Sequence, residues 1–267
     1  MKLLVFIRGG GDLASGVAAR LYRCGYSVVI SELNEPLAIR RSVAFSQAIF
    51  DEEIIVEDIC ARRSATAEQA VELLSDGIIP VIADPDAELR SVLSPAVLVD
   101  ARMTKKAPDL DRSAAPLVIG LGPGFEAGID CHAVVETKRG HFLGRVYWEG
   151  AAEPNTGSPG VIVGRTDDRV LRAPKAGEFK TLRNIGDFVE KGDSLAHVNN
   201  NFIHAPFKGL LRGLLQEGLY VDKGMKVGDV DPRLDERLSK FISEKALAIG
   251  GGVLEAILVN GQNKDLE

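Results

Sequence analysis

The first residues able to do chemistry are Arg8-Gly9-Gly10-Gly11-Asp12-Leu13-Ala14, a glycine triplet between an apolar run and a helical pattern. Gly9-x-Gly11-x-x-Ala14 meets the dinucleotide-binding spacing, and Glu32 closes the second apolar run about 20 residues on. Glycines let phosphate oxygens approach the backbone, a helix N-terminus attracts anions, and a carboxylate can accept ribose hydroxyl protons. Loop, helix and Glu32 therefore agree on a nucleotide or other phosphate-bearing ligand. Asp12 complicates this, because its charge repels a phosphate. The alternative makes Asp12 the helix N-cap, with the glycines merely turning the chain. Arg8 is placed to offset the acid.

A second loop, Gly120-Leu121-Gly122-Pro123-Gly124-Phe125, follows the last apolar run of this region. Gly122 and Gly124 either line the same cleft or simply lead the chain out of the domain. Asp100-Ala101-Arg102 ends another run, so Arg102 is a candidate anion clamp, or else a salt-bridged surface residue. Downstream, Cys131-His132 and Glu136 to His141 form a polar cluster whose spacing matches no metal motif, and structural histidines explain it better. No nucleophile elbow, Walker loop or zincin helix is present, so no catalytic residue is assigned.

Positioning these groups requires alternating strands and helices. Strands are expected at about 3–8, 27–31, 53–58, 78–83, 96–100 and 116–121, and helices at about 13–24, 36–48, 66–75 and 86–92. This alternation predicts an α/β domain, residues 1–125, with a Rossmann-like parallel sheet that presents its loops at the carboxyl ends of the strands. After residue 125 glycine punctuation becomes dense. Residues 126–267 are expected to form a mainly β domain, with helix returning at about 232–244 and 252–259.

Within that domain the sequence repeats with a period of 32: Ala173-Pro174 returns as Ala205-Pro206, Gly177 as Gly209, Gly186 as Gly218, Val189 as Val221, and Lys191-Gly192 as Lys223-Gly224. The pattern at 170–230 resembles the biotinyl/lipoyl barrel-sandwich hybrid, in which a lysine at the joint between halves carries the prosthetic group. Here the joint reads His197-Val198-Asn199-Asn200-Asn201-Phe202-Ile203-His204, without lysine. Neither biotin nor lipoate is expected, and the module is a scaffold or docking surface. Chemistry is to be sought in the α/β domain or around Gly122 to His141.

Composition narrows the partners. A formal net charge of -6 leaves no basic surplus for phosphate neutralisation along an extended surface, so nucleic acid is not expected. Apolar runs fall short of the roughly 20 residues that span a bilayer, so no membrane association is expected. Three widely spaced cysteines, Cys24, Cys60 and Cys131, outline neither a disulfide framework nor a C-x-x-C site, which favours a cytoplasmic setting.

Several segments together resemble one family. They are Arg8 to Ala14, Gly120 to Phe125, Glu136-Thr137-Lys138-Arg139-Gly140-His141-Phe142-Leu143-Gly144-Arg145, Asn155-Thr156-Gly157-x-Pro159-Gly160, Asp229-Val230-Asp231-Pro232-Arg233, and Ala248-Ile249-Gly250-Gly251-Gly252-Val253-Leu254-Glu255. Through them the chain resembles the YqeB-type accessory proteins of the selenium-dependent molybdenum hydroxylase system. The resemblance implies a role in maturing a xanthine dehydrogenase-type molybdenum hydroxylase, with that hydroxylase or other maturation proteins as partners. A molybdopterin dinucleotide or NAD(P) is then the expected ligand of the glycine loop. The competing readings are an NAD(P)-dependent oxidoreductase and a non-enzymatic assembly scaffold whose glycine loops are structural.

Overall fold

The computed structural model describes residues 3–104, 107–154, 164–165 and 167–264. The chain divides into two compact units. The first comprises Met1–Pro36, Phe45–Asn155 and Ile242–Glu267, and the second Leu37–Ala44 and Thr156–Phe241.

Strands of the first unit are β1 (Leu4–Arg8), β2 (Ser27–Glu32), β3 (Glu53–Val56), β4 (Ile59–Ser64), β5 (Ile79–Ala83), β6 (Val97–Asp100), β7 (Leu117–Leu121), β8 (Glu126–Ala127), β9 (Ala133–Val135), β10 (Val146–Tyr147) and β11 (Gly150–Ala151). All but β8 and β11 join one mixed sheet in the order β10-β9-β7-β6-β1-β2-β5-β4-β3. From β9 to β4 the neighbours are parallel, and the edge strands β10 and β3 pair antiparallel. The chain builds to one side of β1 through β2 and β5, then returns to build β6, β7 and β9 on the other. The reversal falls between β1 and β6, and the carboxyl ends of strands flanking such a reversal are where sheets of this kind bind ligands.

Successive strand side chains face opposite ways, and Val5, Phe6 and Ile7 are all fully buried, so both faces of the sheet are covered. On one face Phe6, Val29, Ala70, Ile82 and Ala87 form a continuous cluster. Burying a side chain of Phe6's size contributes roughly 1.5–3 kcal/mol.

The helices are α1 (Asp12–Arg23), α2 (Ala48–Asp51), α3 (Ala67–Ser75), α4 (Arg90–Leu93), α5 (Arg237–Lys240, in the second unit) and α6 (Glu244–Lys264). α3 starts where the sequence offers a cap: the Thr66 hydroxyl accepts the Gln69 amide. α1 and α6 pack through glycines. A Cβ on Gly16 would stand 2.5 Å from Ala246 Cβ, and one on Gly250 would stand 2.7 Å from the Gly16 carbonyl. Gly252 meets the Gly144 carbonyl in the same way. The glycine triplet 250–252 therefore lies inside α6, which begins well before the expected start at 252. Close backbone approach outweighs the roughly 1 kcal/mol that each helical glycine costs.

Other elements also differ from expectation. No helix spans 36–48; short 3-10 turns occupy Arg41–Val43 and Phe45–Gln47, followed by α2. The cause is tertiary: Arg40 donates to the carbonyls of Leu238 and Phe241, and Ile39 accepts the Leu214 amide, so this segment belongs to the second unit. The run 53–58 turns at Glu57 (φ 58°) and returns as β4. The expected helix 86–92 shrinks to α4, because the Asp84 carboxylate takes the Glu88 and Leu89 amides and fixes a turn. The single boundary at 125 gives way to a return of the chain, since α6 rejoins the first unit.

The second unit contains β12 (Val170–Arg172), β13 (Gly177–Thr181), β14 (Phe188–Val189), β15 (Ser194–Val198), β16 (Asn201–His204), β17 (Gly209–Leu214), β18 (Tyr220–Val221) and β19 (Lys226–Asp231). Gly177 to Gly209, Phe188 to Tyr220 and Ser194 to Lys226 keep the offset of 32 at strand starts. The two antiparallel sheets run β12-β19-β17-β14 and β16-β15-β13-β18. Exchanging each strand for its repeat partner converts one order into the other, so the halves swap strands and neither can close its sheet alone. Their joint is a two-residue turn whose residues Asn199 (φ 47°) and Asn200 (φ 61°) take the left-handed conformation that such a hairpin requires.

Among the described residues no helix is long and apolar enough to cross a membrane. The motif Asn155 to Gly160 lies outside the described residues.

Candidate functional site

At the carboxyl end of β1, Gly9 turns at φ 92°, donates its amide to Ser31, and runs so close to the strap 101–102 that a Cβ would lie 3.2 Å from Arg102 Cα. Gly10 is equally confined, with a Cβ position 2.9 Å from the Ser46 amide nitrogen. Its carbonyl accepts from the Ser46 amide and the Ser15 hydroxyl, while that hydroxyl accepts from the Phe45 amide. Gly11 is different. No atom lies within 4 Å of a Cβ placed there, and it caps α1 without any side-chain hydrogen bond to the first-turn amides. Asp12 is the first helical residue, so it is not the N-cap, and Ala14 is buried in the first turn.

Glu32, at the end of β2, reaches the loop. Its carboxylate accepts the Gly10 amide at 2.7 Å and the Leu33 amide at 2.7 Å. Burial pushes its carboxyl pKa up, while those two amides favour the ionised form.

Arg8 is 1% exposed and points into an ionic network. The Asp109 carboxylate is gripped by two forks. Oδ1 lies 2.6 Å from Arg8 Nη1 and 2.7 Å from Arg102 Nη2, and Oδ2 lies 3.2 Å from Arg8 Nη2 and 3.1 Å from Arg102 Nη1. Arg102 is also bound by Asp100, whose side chain is 4% exposed. Hydrogen bonds from Arg8 and then Arg102 hold the Asp109 carboxyl well below the usual range. Arg102 thus lies at the carboxyl end of β6, engaged by two carboxylates.

Gly122 (φ 73°) and Gly124 (φ 107°) leave β7 at this same edge. Gly122 packs on the Thr137 hydroxyl and the Met103 methyl, so the strap 101–104 touches Gly9 on one side and Gly122 on the other. Both glycine loops therefore border one strand edge with that strap between them. Next along, the fully buried Glu136 accepts the Lys138 amide at 2.7 Å and the Glu153 amide at 2.8 Å. Lys245, at the start of α6, senses the same corner. Burial and then the Arg139 charge push its pKa down, against Asp12 and Glu136. Sequence reading named Glu136 only as part of a polar cluster and missed Lys245 and Asp109, because their roles depend on contacts with residues far along the chain.

Cys131 and His132 sit at the opposite, amino edge. The His132 Nδ1 accepts the Val118 amide, and burial pushes the Cys131 thiol up to about 11, so neither is poised for chemistry. A cavity of about 950 Å³ opens there, lined by Arg90, Ser94, Arg112 and His132 and reaching Asp109. His141 packs edge-on to Phe142. Among the described residues no His/Cys/Asp/Glu group could hold a metal ion.

These features define an α/β protein with a largely parallel sheet and a glycine loop at its strand-order reversal. The chain is a homologue of the uncharacterized protein YqeB of Escherichia coli (strain K12), with 48% identity over 256 residues, or 96% of this chain. It spans 47%, about half, of that protein's length. No family model matches. Among solved structures, an aspartoacylase family protein from Mesorhizobium loti is similar at 11% identity and TM-score 0.27, covering 88% of this chain and 87% of its own. The apo ectoine utilization protein EutE (DoeB) from Ruegeria pomeroyi gives 11% and 0.27, with 86% of each chain covered. Scores this low carry no argument about fold or function.

Proposed function

We propose that the first unit binds a nucleotide-containing ligand at the β1–α1 loop, and that the protein acts as an accessory factor in maturing a selenium-dependent molybdenum hydroxylase of the xanthine dehydrogenase type. The observation that carries the ligand assignment is Gly11: an open approach to the N-terminus of α1, at the reversal of strand order, with Glu32 alongside. The loop fits a pyrophosphate, and Glu32 fits a ribose hydroxyl donor. In this reading the run β5-β2-β1-β6-β7-β9 is a Rossmann-like sheet extended by the β3–β4 hairpin. The second unit is a barrel-sandwich hybrid of biotinyl/lipoyl type. Its Asn199-Asn200 turn offers no lysine for biotin or lipoate, and it serves as scaffold or docking surface for the hydroxylase or its other maturation proteins. The family resemblance supports the pathway, and a molybdopterin dinucleotide or NAD(P) is the ligand.

Thermal-shift titration with NAD(H), NADP(H), CTP and molybdopterin dinucleotide tests the binding, since a ligand specific for the native state stabilises it by RT ln(1 + L/Kd), where L is the free ligand concentration, and so raises the melting temperature. A shift with one of them is expected; none with any refutes the site. Deleting the protein is expected to lower hydroxylase activity and its selenium content, and unchanged values refute the pathway. Oxidation of NAD(P)H on adding a selenium or sulfur source would favour the oxidoreductase reading instead.

A further inference from the structure

We propose that Arg8 and Arg102 form an oxyanion clamp at the carboxyl ends of β1 and β6, built for a carboxylate or phosphate group of a small-molecule ligand, and that Asp109 is its resident, displaceable occupant. The proposal goes beyond the nucleotide reading and does not depend on it, because it stands on the clamp alone.

Three observations carry it. The first is geometric: both oxygens of one carboxylate are each shared between two guanidinium forks, at 2.6 and 2.7 Å for one and 3.2 and 3.1 Å for the other. Two planar forks converging on two oxygens is the arrangement that recognises carboxylate and phosphate groups. The second is the inequality of the two acids. The Asp100 side chain is 4% exposed and lies in register opposite Arg8 on the neighbouring strand, so it is a fixed wall of the site. The Asp109 side chain is 51% exposed, so water can rehydrate its carboxylate when it leaves the fork. With Asp109 away, two guanidiniums share one carboxylate and the pocket is left one positive charge in excess. The third is Arg8 itself. Its side chain is 1% exposed and its Nε is buried without a hydrogen-bond partner, so a buried cation depends for much of its neutralisation on a half-exposed acid. Here the outer one is the exchangeable one, and it sits beside Gly9, whose backbone touches Arg102.

Losing Asp109 should then leave a buried charge that any small oxyanion can compensate. The test uses the full chain and simple anions at constant ionic strength, with chloride as background. In chloride, Asp109→Asn is expected to melt roughly 5 °C below the unmutated protein, and inorganic phosphate or acetate to restore it saturably. Binding to Asp109→Asn should be at least about tenfold tighter than to the unmutated protein, which carries its own competitor. Asp109→Glu keeps the charge and should behave as the parent, and Asp109→Asn combined with Arg102→Gln should lose the rescue. Rescue by phosphate but not acetate assigns a phosphoryl ligand, and the reverse assigns a carboxylate. Equal anion affinity in parent and Asp109→Asn, or rescue that survives Arg102→Gln, overturns the proposal. Because no nucleotide enters this assay, its outcome is independent of the glycine-loop titration.

Discussion

Replacing Gly11 and Gly9 by alanine separates a loop that binds from a loop that merely turns. At Gly11 the backbone angles, φ -70° and ψ -174°, suit any residue, and a methyl group meets no atom within 4 Å. Losing glycine at a helix N-cap costs about 0.5–1 kcal/mol, and the stiffer unfolded chain returns about 0.4–1 kcal/mol, so folding should be nearly unaffected. The methyl nevertheless occupies the open space at the N-terminus of α1, where a pyrophosphate would approach in the proposed reading. Affinity for the ligand found by thermal shift is expected to fall at least about tenfold, equivalent to about 1.4 kcal/mol. At Gly9 the balance reverses. A φ of 92° strains alanine by about 1–3 kcal/mol, and the contacts at 3.2 and 3.3 Å with Arg102 backbone atoms add a comparable amount. A total of about 3 kcal/mol lowers the melting temperature by roughly 10 °C. Scanning calorimetry measures both variants, and calorimetric titration measures binding to Gly11→Ala. If Gly11→Ala melts normally and binds with unchanged affinity, the loop does not hold the ligand. If Gly9→Ala melts like the parent, the close approach of the two loops is wrong.

The α1–α6 contact predicts opposite outcomes at two glycines. Gly16→Val drives side-chain atoms into the Ala246 backbone, 2.6 Å from a bare Cβ, and should cost about 2–3 kcal/mol in urea denaturation. Gly251→Ala meets nothing within 4 Å and should stabilise α6 by about 0.5–1 kcal/mol; a loss there would contradict the helix packing. In the second unit, burial raises the Asp231 carboxyl pKa, but Arg233 and Arg212 together bring it down to about 2, below its unfolded value of 3.8. A folded pKa below the unfolded one contributes stability above the unfolded value and loses it as pH falls, here about 2 kcal/mol between roughly pH 4 and pH 2. Asp231→Asn should flatten that acid limb in melting temperature against pH, and an unchanged limb would show that another group controls it.

Much of this architecture is legible in the sequence because it is local. Six of the expected strands form near their expected positions, since short apolar runs bounded by glycine and polar residues have few other solutions. The period of 32 carries through to the strand exchange between two sheets, because each copy repeats its turn glycines. The glycine loop and Glu32 fall where their spacing places them. The pattern did not show what long-range partners impose. Residues 37–44 have a helical appearance, yet the carbonyls of Leu238 and Phe241 hold Arg40 elsewhere. Gly250 and Gly251 fall outside the expected helix 252–259, yet α6 runs through them, because the backbones of Gly16 and Gly144 lie against Gly250 and Gly252. At the site, sequence alone determined that Arg8, Gly9 to Gly11 and Glu32 lie at strand ends. Only the tertiary structure decided that Glu32 grips the Gly10 amide and that Asp109 fills the fork of Arg8 and Arg102. A strand forms largely from its own residues, whereas an ion pair between positions 8 and 109 exists only after β1 and the loop segment preceding Arg112 have met.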